Sequence, residues 1–252
     1  MSYLQYLSVV SFRRHNPTWE INLFIPTEQS ALEPTWSTGE QQCTYDGEDY
    51  LERTKGLCAV VPVDFNEHEL SKPRHEVQRS DIIRWFILHK FGGVWSDIDI
   101  LYVRPVSGQL LGPEVGVVYH NDPYIGFLAG QPGQQLFGDL YNIAKGNLRR
   151  NVDDTYQSLG GDLFRIHYGS FKGLRATYPD TKITNFPMDL VYPYLPNNDV
   201  EALFFGEDDK TTAATIGIHW YNGSSRAKDY QNNFEEYRYN NSLISRLVRE
   251  YV

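Results

Sequence analysis

The chain contains little cysteine, and it lacks the excess of positive charge that some classes of protein require. Its 252 residues include only two cysteines, Cys43 and Cys58. They provide neither a disulfide framework nor the spacing of a metal site, and they fit a reducing compartment. The 32 Asp and Glu residues outnumber the 23 Lys and Arg residues, which gives a formal net charge of −9. Because neutralising phosphates requires clustered Lys and Arg, we expect no nucleic-acid partner.

Long apolar runs are also missing. No run approaches the roughly 18 residues of a membrane-spanning helix, and the N-terminus has no signal-peptide pattern. We therefore expect no integral membrane segment and a cytoplasmic location in a bacterial or viral context, unless the chain is a trimmed part of a longer protein. With 41% apolar residues, the chain can bury one substantial core, which predicts a single domain over residues 1–252.

The most informative stretch is residues 76–105, because it combines a helix of the buried type with an acidic pair. Residues 76–90 contain no proline or glycine, and their apolar side chains recur at roughly helical spacing. Two glycines at 92–93 predict the end of this helix. A short apolar strand follows, and the acidic pair of a D-x-D motif, Asp97 and Asp99, stands where that strand ends.

The D-x-D motif indicates a metal site. In an extended segment, residues two apart point the same way, so Asp97 and Asp99 can face one ligand. Two ionised carboxylates at this spacing repel each other, and a divalent cation such as Mg²⁺ or Mn²⁺ removes that repulsion. The alternative is an acidic turn exposed to water, but its position after a buried helix and strand speaks against that interpretation.

The motif belongs to a longer pattern made of residues 80–84 (SDIIR), 91–95 (FGGVW) and 97–99 (DID). This pattern resembles the sugar-nucleotide signature of the DXD glycosyltransferases. The most similar group is family 32, with its α-mannosyl-, α-galactosyl- and capsular-polysaccharide transferases, and the glucosylating clostridial toxins carry a similar signature. The resemblance implies a single α/β domain of the GT-A type, with a mixed, mainly parallel sheet flanked by helices.

The resemblance also implies roles for four charged residues. Asp81 and Arg84, one helical turn apart, are implied to hold hydroxyls of the donor sugar. Asp97 is implied to contact the ribose or sugar, and Asp99 to bind the metal that bridges the diphosphate. The alternative for Asp81 and Arg84 is an internal salt bridge that positions the helix, and the two interpretations are compatible.

A second phrase, IGIHWYNGS at residues 216–224, resembles the part of the family that closes over the diphosphate. It implies that His219 is a third metal ligand, and a histidine suits Mn²⁺ better than Mg²⁺. Trp220 is implied to pack on the nucleotide or to donate its indole N–H to a phosphate, and Asn222 or Ser224 to touch the metal or phosphate. The alternative is that the histidine is structural.

Residues 155–164 (TYQSLGGDLF) resemble a family segment in which two glycines open a helix beside the phosphates or the acceptor. Asp162 follows these glycines and is the first candidate for a general base if the enzyme inverts configuration. If the enzyme retains configuration, no strong base is needed and Asp162 could contact the donor or the acceptor. The alternative is an N-terminal helix residue favoured by the helix dipole.

One feature departs from the family. Relatives begin with a strand that helps to hold the nucleotide base, whereas residues 2–14 of this chain already predict a helix. The opening strand is therefore expected to be lost or truncated, and recognition of the base is the least supported part of the resemblance.

The sequence as a whole favours a metal-dependent glycosyltransferase. It would move a sugar from a nucleotide-diphosphate donor, by resemblance a UDP-sugar with Mn²⁺ or Mg²⁺, to a hydroxyl of a glycan acceptor, as in polysaccharide biosynthesis. The family favours retention of configuration. Two alternatives are a sugar-nucleotide phosphohydrolase, which has less need of Asp81 and Arg84, and a non-catalytic carbohydrate-binding protein, in which loss of the D-x-D pair would be expected.

Overall fold

Helices and short strands alternate along the chain. The computed structural model describes residues 1–28, 45–67, 76–150, 157–196 and 199–251, so Cys43 and residues 155–156 lie outside the described part. Within it, the helices are α1 (Tyr3–His15), α2 (Leu51–Lys55), α3 (Glu76–Phe91), α4 (Gln135–Arg150), α5 (Gly161–Tyr168), α6 (Phe171–Thr177), α7 (Val200–Phe205), α8 (Ser225–Asn232), α9 (Phe234–Tyr237) and α10 (Leu243–Val248). The strands are β1 (Asn22–Pro26), β2 (Ala59–Val63), β3 (Gly93–Ser96), β4 (Ile100–Tyr102), β5 (Val115–Tyr119), β6 (Pro123–Gly130), β7 (Ile183–Phe186) and β8 (Gly217–His219).

The described strands form a four-stranded sheet in the order β3-β6-β5-β7 and two pairs, β1-β2 and β4-β8. The α/β class and the mixed sheet are confirmed, but the expected majority of parallel pairings is wrong for these strands. Only β1-β2 and β5-β7 are parallel, whereas β3-β6, β5-β6 and β4-β8 are antiparallel. Residues 120–122, which join β5 to β6, are too few for the crossover that a parallel pair requires.

The four-stranded sheet is buried on both faces. Phe127 and Ala129 of β6 belong to one hydrophobic cluster, and Leu128 between them belongs to another. Successive side chains of a strand point to opposite faces, so this alternation shows one cluster on each face. The single domain over residues 1–252 stays a prediction. In the described part of the chain, no helix combines the length and the apolar character that crossing a membrane would take.

Helix α3 ends where the sequence predicts, and the reason is steric. Gly92 has a φ of 66°, and a Cβ added to it would lie 2.7 Å from the carbonyl oxygen of Gly130. Only glycine combines this left-handed conformation with such a close approach of two backbones. The glycine therefore turns the chain from the buried helix directly into β3.

Strand pairing then fixes the acidic motif. Beyond the last β3 pair, the backbone N–H of Asp97 donates to the carbonyl oxygen of Gly126 at 2.7 Å. In the β4-β8 pair, Ile100 lies opposite His219, and the N–H of Trp220 donates to the carbonyl oxygen of Asp99 at 2.9 Å. The motif therefore joins the four-stranded sheet to the β4-β8 pair.

Helix α1 packs against β4 and the end of β8, and two of its buried serines bond to them. The hydroxyl of Ser11 accepts the N–H of Tyr102 at 2.9 Å, and the hydroxyl of Ser8 accepts the indole N–H of Trp220 at 3.1 Å. The helix begins with a capping box formed by Ser2 and Gln5, which satisfies backbone donors at its first turn. These contacts hold β4 and the end of β8 against one helix.

Candidate active site

Three side chains that can bind a metal converge where the four-stranded sheet meets the β4-β8 pair. One ligand atom each of Asp97, Asp99 and His219 lies within 4.8 Å of the others. Their side chains are 27%, 14% and 12% exposed, respectively. The sequence expected an extended D-x-D segment, but residues 98–99 form a turn. The two carboxylates meet because β3 and β4 are paired with different strands, and not because of an extended backbone.

The carboxylate of Asp97 is oriented by two donors on one oxygen. Its Oδ1 accepts Arg84 Nη2 at 3.0 Å and Trp95 Nε1 at 2.7 Å. The other oxygen, Oδ2, faces Gly126, where an added Cβ would lie only 2.8 Å from it. Fixing one oxygen in this way leaves the other in place for a ligand without further loss of side-chain freedom.

Asp99 is held from the side of β8. Its Oδ1 lies 3.2 Å from Nε2 of His219, and its Oδ2 accepts the backbone N–H of Asn222 at 2.9 Å. The preceding residue, Tyr221, has a left-handed conformation with a φ of 54°. For a residue with a side chain this conformation costs about 1 to 2 kcal/mol, and it belongs to the turn that presents the Asn222 N–H to the carboxylate.

Asp81 and Arg84 form the internal salt bridge that the sequence allowed. Nη1 of Arg84 donates to Oδ1 of Asp81 at 2.9 Å, and both side chains are 4% exposed. Burial raises the pKa of Asp81 to about 7, although the Arg84 guanidinium lowers it. A Cβ on Gly160 would lie 2.4 Å from Oδ2 of Asp81, so the glycine lets this segment approach the carboxylate.

A cleft of about 920 Å³ reaches these residues. Its lining includes Asp81, Arg84, Asp97, Asp99 and Asn222, together with aromatic side chains of α1, β1 and β3. Ligand sites of small molecules typically enclose roughly 300 to 1,000 Å³ and combine apolar walls with a few polar groups. The cleft therefore has the size and chemistry of a site for a nucleotide-sized ligand.

The two carboxylates of the motif fit a divalent cation. Among the described residues, the carboxylates of Asp81 and Asp97 share the guanidinium of Arg84, and the carboxylate of Asp99 lies beside them in the same group. Oxygen donors with an excess of negative charge are what Mg²⁺ and Mn²⁺ require, and two protein carboxylates leave positions for phosphate oxygens. The residues therefore fit the expected metal, with Asp97 and Asp99 as its oxygen ligands.

His219 fits the metal less well than the two carboxylates do. Its Nδ1 is buried and has no hydrogen-bond partner among the described residues. Metal-bound histidines almost always donate the proton of their second nitrogen to an acceptor. Coordination through Nε2 would leave that proton on Nδ1 without an acceptor, so we expect His219 to contribute less to metal affinity than Asp99.

Three other expected residues are placed differently by the structure. Trp220 is fully buried, and its indole N–H donates to Ser8, so the N–H already has a partner other than the expected phosphate. The hydroxyl of Ser224 accepts the N–H of Ala227 and caps α8. Asp162 pairs with Arg165 at 2.8 Å in the first turn of α5, which favours its structural interpretation.

Asn222 does reach the site, but its backbone makes the contact to Asp99. Its side-chain Oδ1 accepts Nζ of Lys228 at 2.9 Å. Lys228 is thus a cation near the site that the sequence analysis missed, and its position one turn after the Asn222–Ser224 turn was the available signal. Trp95 and Gly126 were missed as well: Trp95 was interpreted only as an apolar residue of β3 although its indole N–H bonds to Asp97, and the contact of Gly126 with Asp97 joins segments distant in sequence.

Residues 9–116 match the protein family described as glycosyltransferase sugar-binding region containing DXD motif. The matched region contains Asp81, Arg84, Asp97 and Asp99, whereas His219 lies outside it. The match agrees with the resemblance that the motif indicated: residues 9–116 are similar to a DXD-containing glycosyltransferase region.

Solved structures similar to this chain include one named PaToxG Glycosyltransferase, with 17% sequence identity and a TM-score of 0.44. The alignment covers 71% of this chain and 64% of that one. No curated protein matches the sequence.

Proposed function

We propose that the chain transfers a sugar from a nucleotide-diphosphate donor to a hydroxyl of a glycan acceptor with the help of a divalent cation. The observation that carries this proposal is the convergence of Asp97, Asp99 and His219 beside a buried Asp81–Arg84 pair at the cleft. The acidic group suits a cation and its phosphate ligands. The buried charged pair supplies polar atoms for sugar hydroxyls, which a simple phosphohydrolase would not need.

Each residue has a separate task in this proposal. Asp97 Oδ2 and the carboxylate of Asp99 hold the cation, with His219 as a weaker third ligand. When bound, the cation stabilises the negative charge that develops on the leaving diphosphate. Arg84 links the buried carboxylate of α3 to the metal-binding carboxylate, because it donates to both Asp81 and Asp97. We assign Asp81 and Arg84 to the hydroxyls of the donor sugar.

The proposed sugar transfer needs no nucleophile from the protein. The bond between the anomeric carbon and the diphosphate oxygen breaks, and the nucleoside diphosphate leaves with the electron pair. The acceptor oxygen forms the new glycosidic bond on the same face of the sugar, and its proton passes to an oxygen of the leaving diphosphate. This route retains configuration, and it requires no general base, consistent with the pairing of Asp162 to Arg165.

The resemblance favours UDP as the nucleotide, and the imidazole of His219 favours Mn²⁺ over Mg²⁺. The cleft also fits this assignment, because it offers aromatic surfaces such as Trp19, Phe24 and Trp95 on which a base or sugar can pack.

A product assay tests the proposal. The purified protein is incubated with UDP-sugars and Mn²⁺, with and without an oligosaccharide acceptor, and the products are separated by chromatography. We expect a glycosylated product only with acceptor and cation, and its loss in Asp99→Asn. Asp180→Asn, a change on an exposed residue, is the matched control. Equal release of free sugar with and without acceptor would identify a hydrolase, and no turnover of any donor would refute the proposal.

A further inference from the structure

Tyr192 has a buried hydroxyl that no described residue satisfies. The side chain is 3% exposed, and its hydroxyl oxygen is buried without a hydrogen-bond partner in the described part of the chain. An unsatisfied buried polar group costs free energy, and phenylalanine would fill the same space without that cost. A buried hydroxyl without a partner among the described residues therefore indicates a hydrogen bond to a bound ligand.

The hydroxyl points at the candidate metal site. A Cβ added to Gly126 would lie 2.9 Å from the Tyr192 hydroxyl, 2.8 Å from Oδ2 of Asp97 and 3.1 Å from Nε2 of His219. Polar atoms from three separate chain segments thus surround one spot on the bare backbone of Gly126. Two of these three atoms belong to the expected metal ligands.

The position of Tyr192 is fixed by its neighbours. The N–H of His219 donates to the carbonyl oxygen of Val191 at 2.8 Å, which holds the preceding residue against β8. The ring of Tyr192 lies between Tyr124 and His219, with ring centroids 4.9 and 5.1 Å away. A phenol held in this way is an oriented hydrogen-bond donor, since it is protonated at neutral pH.

We propose that Tyr192 is a donor-binding residue whose hydroxyl donates a hydrogen bond to a diphosphate oxygen beside the cation held by Asp97 and Asp99. This inference rests on the proposed function. The hydroxyl, Oδ2 of Asp97 and Nε2 of His219 lie around the same spot above Gly126, so a diphosphate oxygen reaches the hydroxyl where the cation is held. The hydrogen bond therefore forms with nucleotide and metal together, and not with either one alone.

Tyr192→Phe tests the inference by separating stability from binding. In isothermal titration calorimetry we expect the affinity for UDP in the presence of Mn²⁺ to fall about tenfold, the usual effect of losing one hydrogen bond to a charged ligand. Binding of Mn²⁺ alone and of UDP alone should not change. The melting temperature of the ligand-free protein should stay the same or rise, because the variant removes an unsatisfied group.

Tyr230→Phe is the matched control. Tyr230 is also a buried tyrosine, but its hydroxyl is paired with Oγ of Ser245 at 2.7 Å. This variant should lower the melting temperature and leave the affinity for UDP with Mn²⁺ unchanged.

Three outcomes would overturn the inference. If Tyr192→Phe lowers the melting temperature as the control does and binds UDP with Mn²⁺ like the wild type, the hydroxyl is structural. If the affinity for Mn²⁺ alone falls equally, the hydroxyl serves a metal-bound water and not the diphosphate. A wild-type protein that binds no UDP with Mn²⁺ would refute UDP as the donor nucleotide of the proposed function and this inference with it, whereas the first two outcomes leave the proposed function intact.

Discussion

Replacing Asp81 by Asn should change how the stability of the ligand-free protein depends on pH. The carboxyl is buried beside Arg84, and its pKa is about 7 in the folded protein, against an ordinary value of 3.8. A carboxyl whose pKa is raised by folding favours the folded state only while it is protonated. Its contribution is fully present below pH 3.8 and is lost as the pH rises towards 7.

The size of the effect follows from the two pKa values. Between them, each pH unit costs about 1.4 kcal/mol of unfolding free energy. From pH 5 to pH 7 the loss is about 2 kcal/mol, because ionisation of the folded state begins to reduce it near the upper end. Asn cannot ionise, so the variant lacks this loss.

Urea unfolding of the metal-free wild type and of Asp81→Asn at several pH values between 5 and 7 measures the difference. The unfolding free energy of the wild type should fall relative to the variant by about 2 kcal/mol over this range. The constant offset caused by losing the Arg84 ion pair does not affect the slope. Asp180→Asn should follow the wild type. Parallel curves for wild type and Asp81→Asn would show that Asp81 is already ionised at pH 5, and would refute the reasoning.

Three further predictions concern metal binding and packing. His219→Gln should weaken Mn²⁺ binding less than Asp99→Asn does, because coordination leaves Nδ1 of His219 without an acceptor; the reverse order in calorimetry would contradict this. Gly160→Ala should destabilise the protein by about 1 to 3 kcal/mol, because the new methyl group meets Asp81 at 2.4 Å; unchanged urea unfolding would show that the segment moves away freely. Trp220→Phe should cost about 1 kcal/mol of stability because the hydrogen bond to Ser8 is lost. It should leave the affinity for UDP with Mn²⁺ unchanged. A weaker affinity would support the phosphate contact expected from the sequence.

Local sequence signals predicted well the part of the site that α3 and β3 contribute. Helix α3, the turn at Gly92 and strand β3 follow from side-chain periodicity and from the conformational freedom of glycine, which act over a few residues. The pairing of Asp81 with Arg84 follows from a spacing of three on a helix. These features need no information about the rest of the fold.

The rest of the site depends on contacts between segments that are distant in the sequence. The spacing of Tyr192 and Gly126 in the sequence does not indicate that both border Asp97, and the partner of Trp220 is Ser8, 212 residues away. In the C-terminal tail, the hydroxyl of Ser242 accepts the N–H of Ser245 and starts α10 as a helix separate from α9. Such caps and tertiary pairings compete with local preference and are decided only in the folded chain.

One residue, Ile98, separates Asp97 from Asp99, yet the backbones of these two residues bond to different sheets. A cation shared by both carboxylates would act as a cross-link between the β3 side and the β8 side of the molecule. The separation of the two carboxylates then depends on how these two sides are packed. A substitution in the packing behind β8, far from any ligand, would therefore weaken metal binding, and by thermodynamic reciprocity the metal would stabilise that packing.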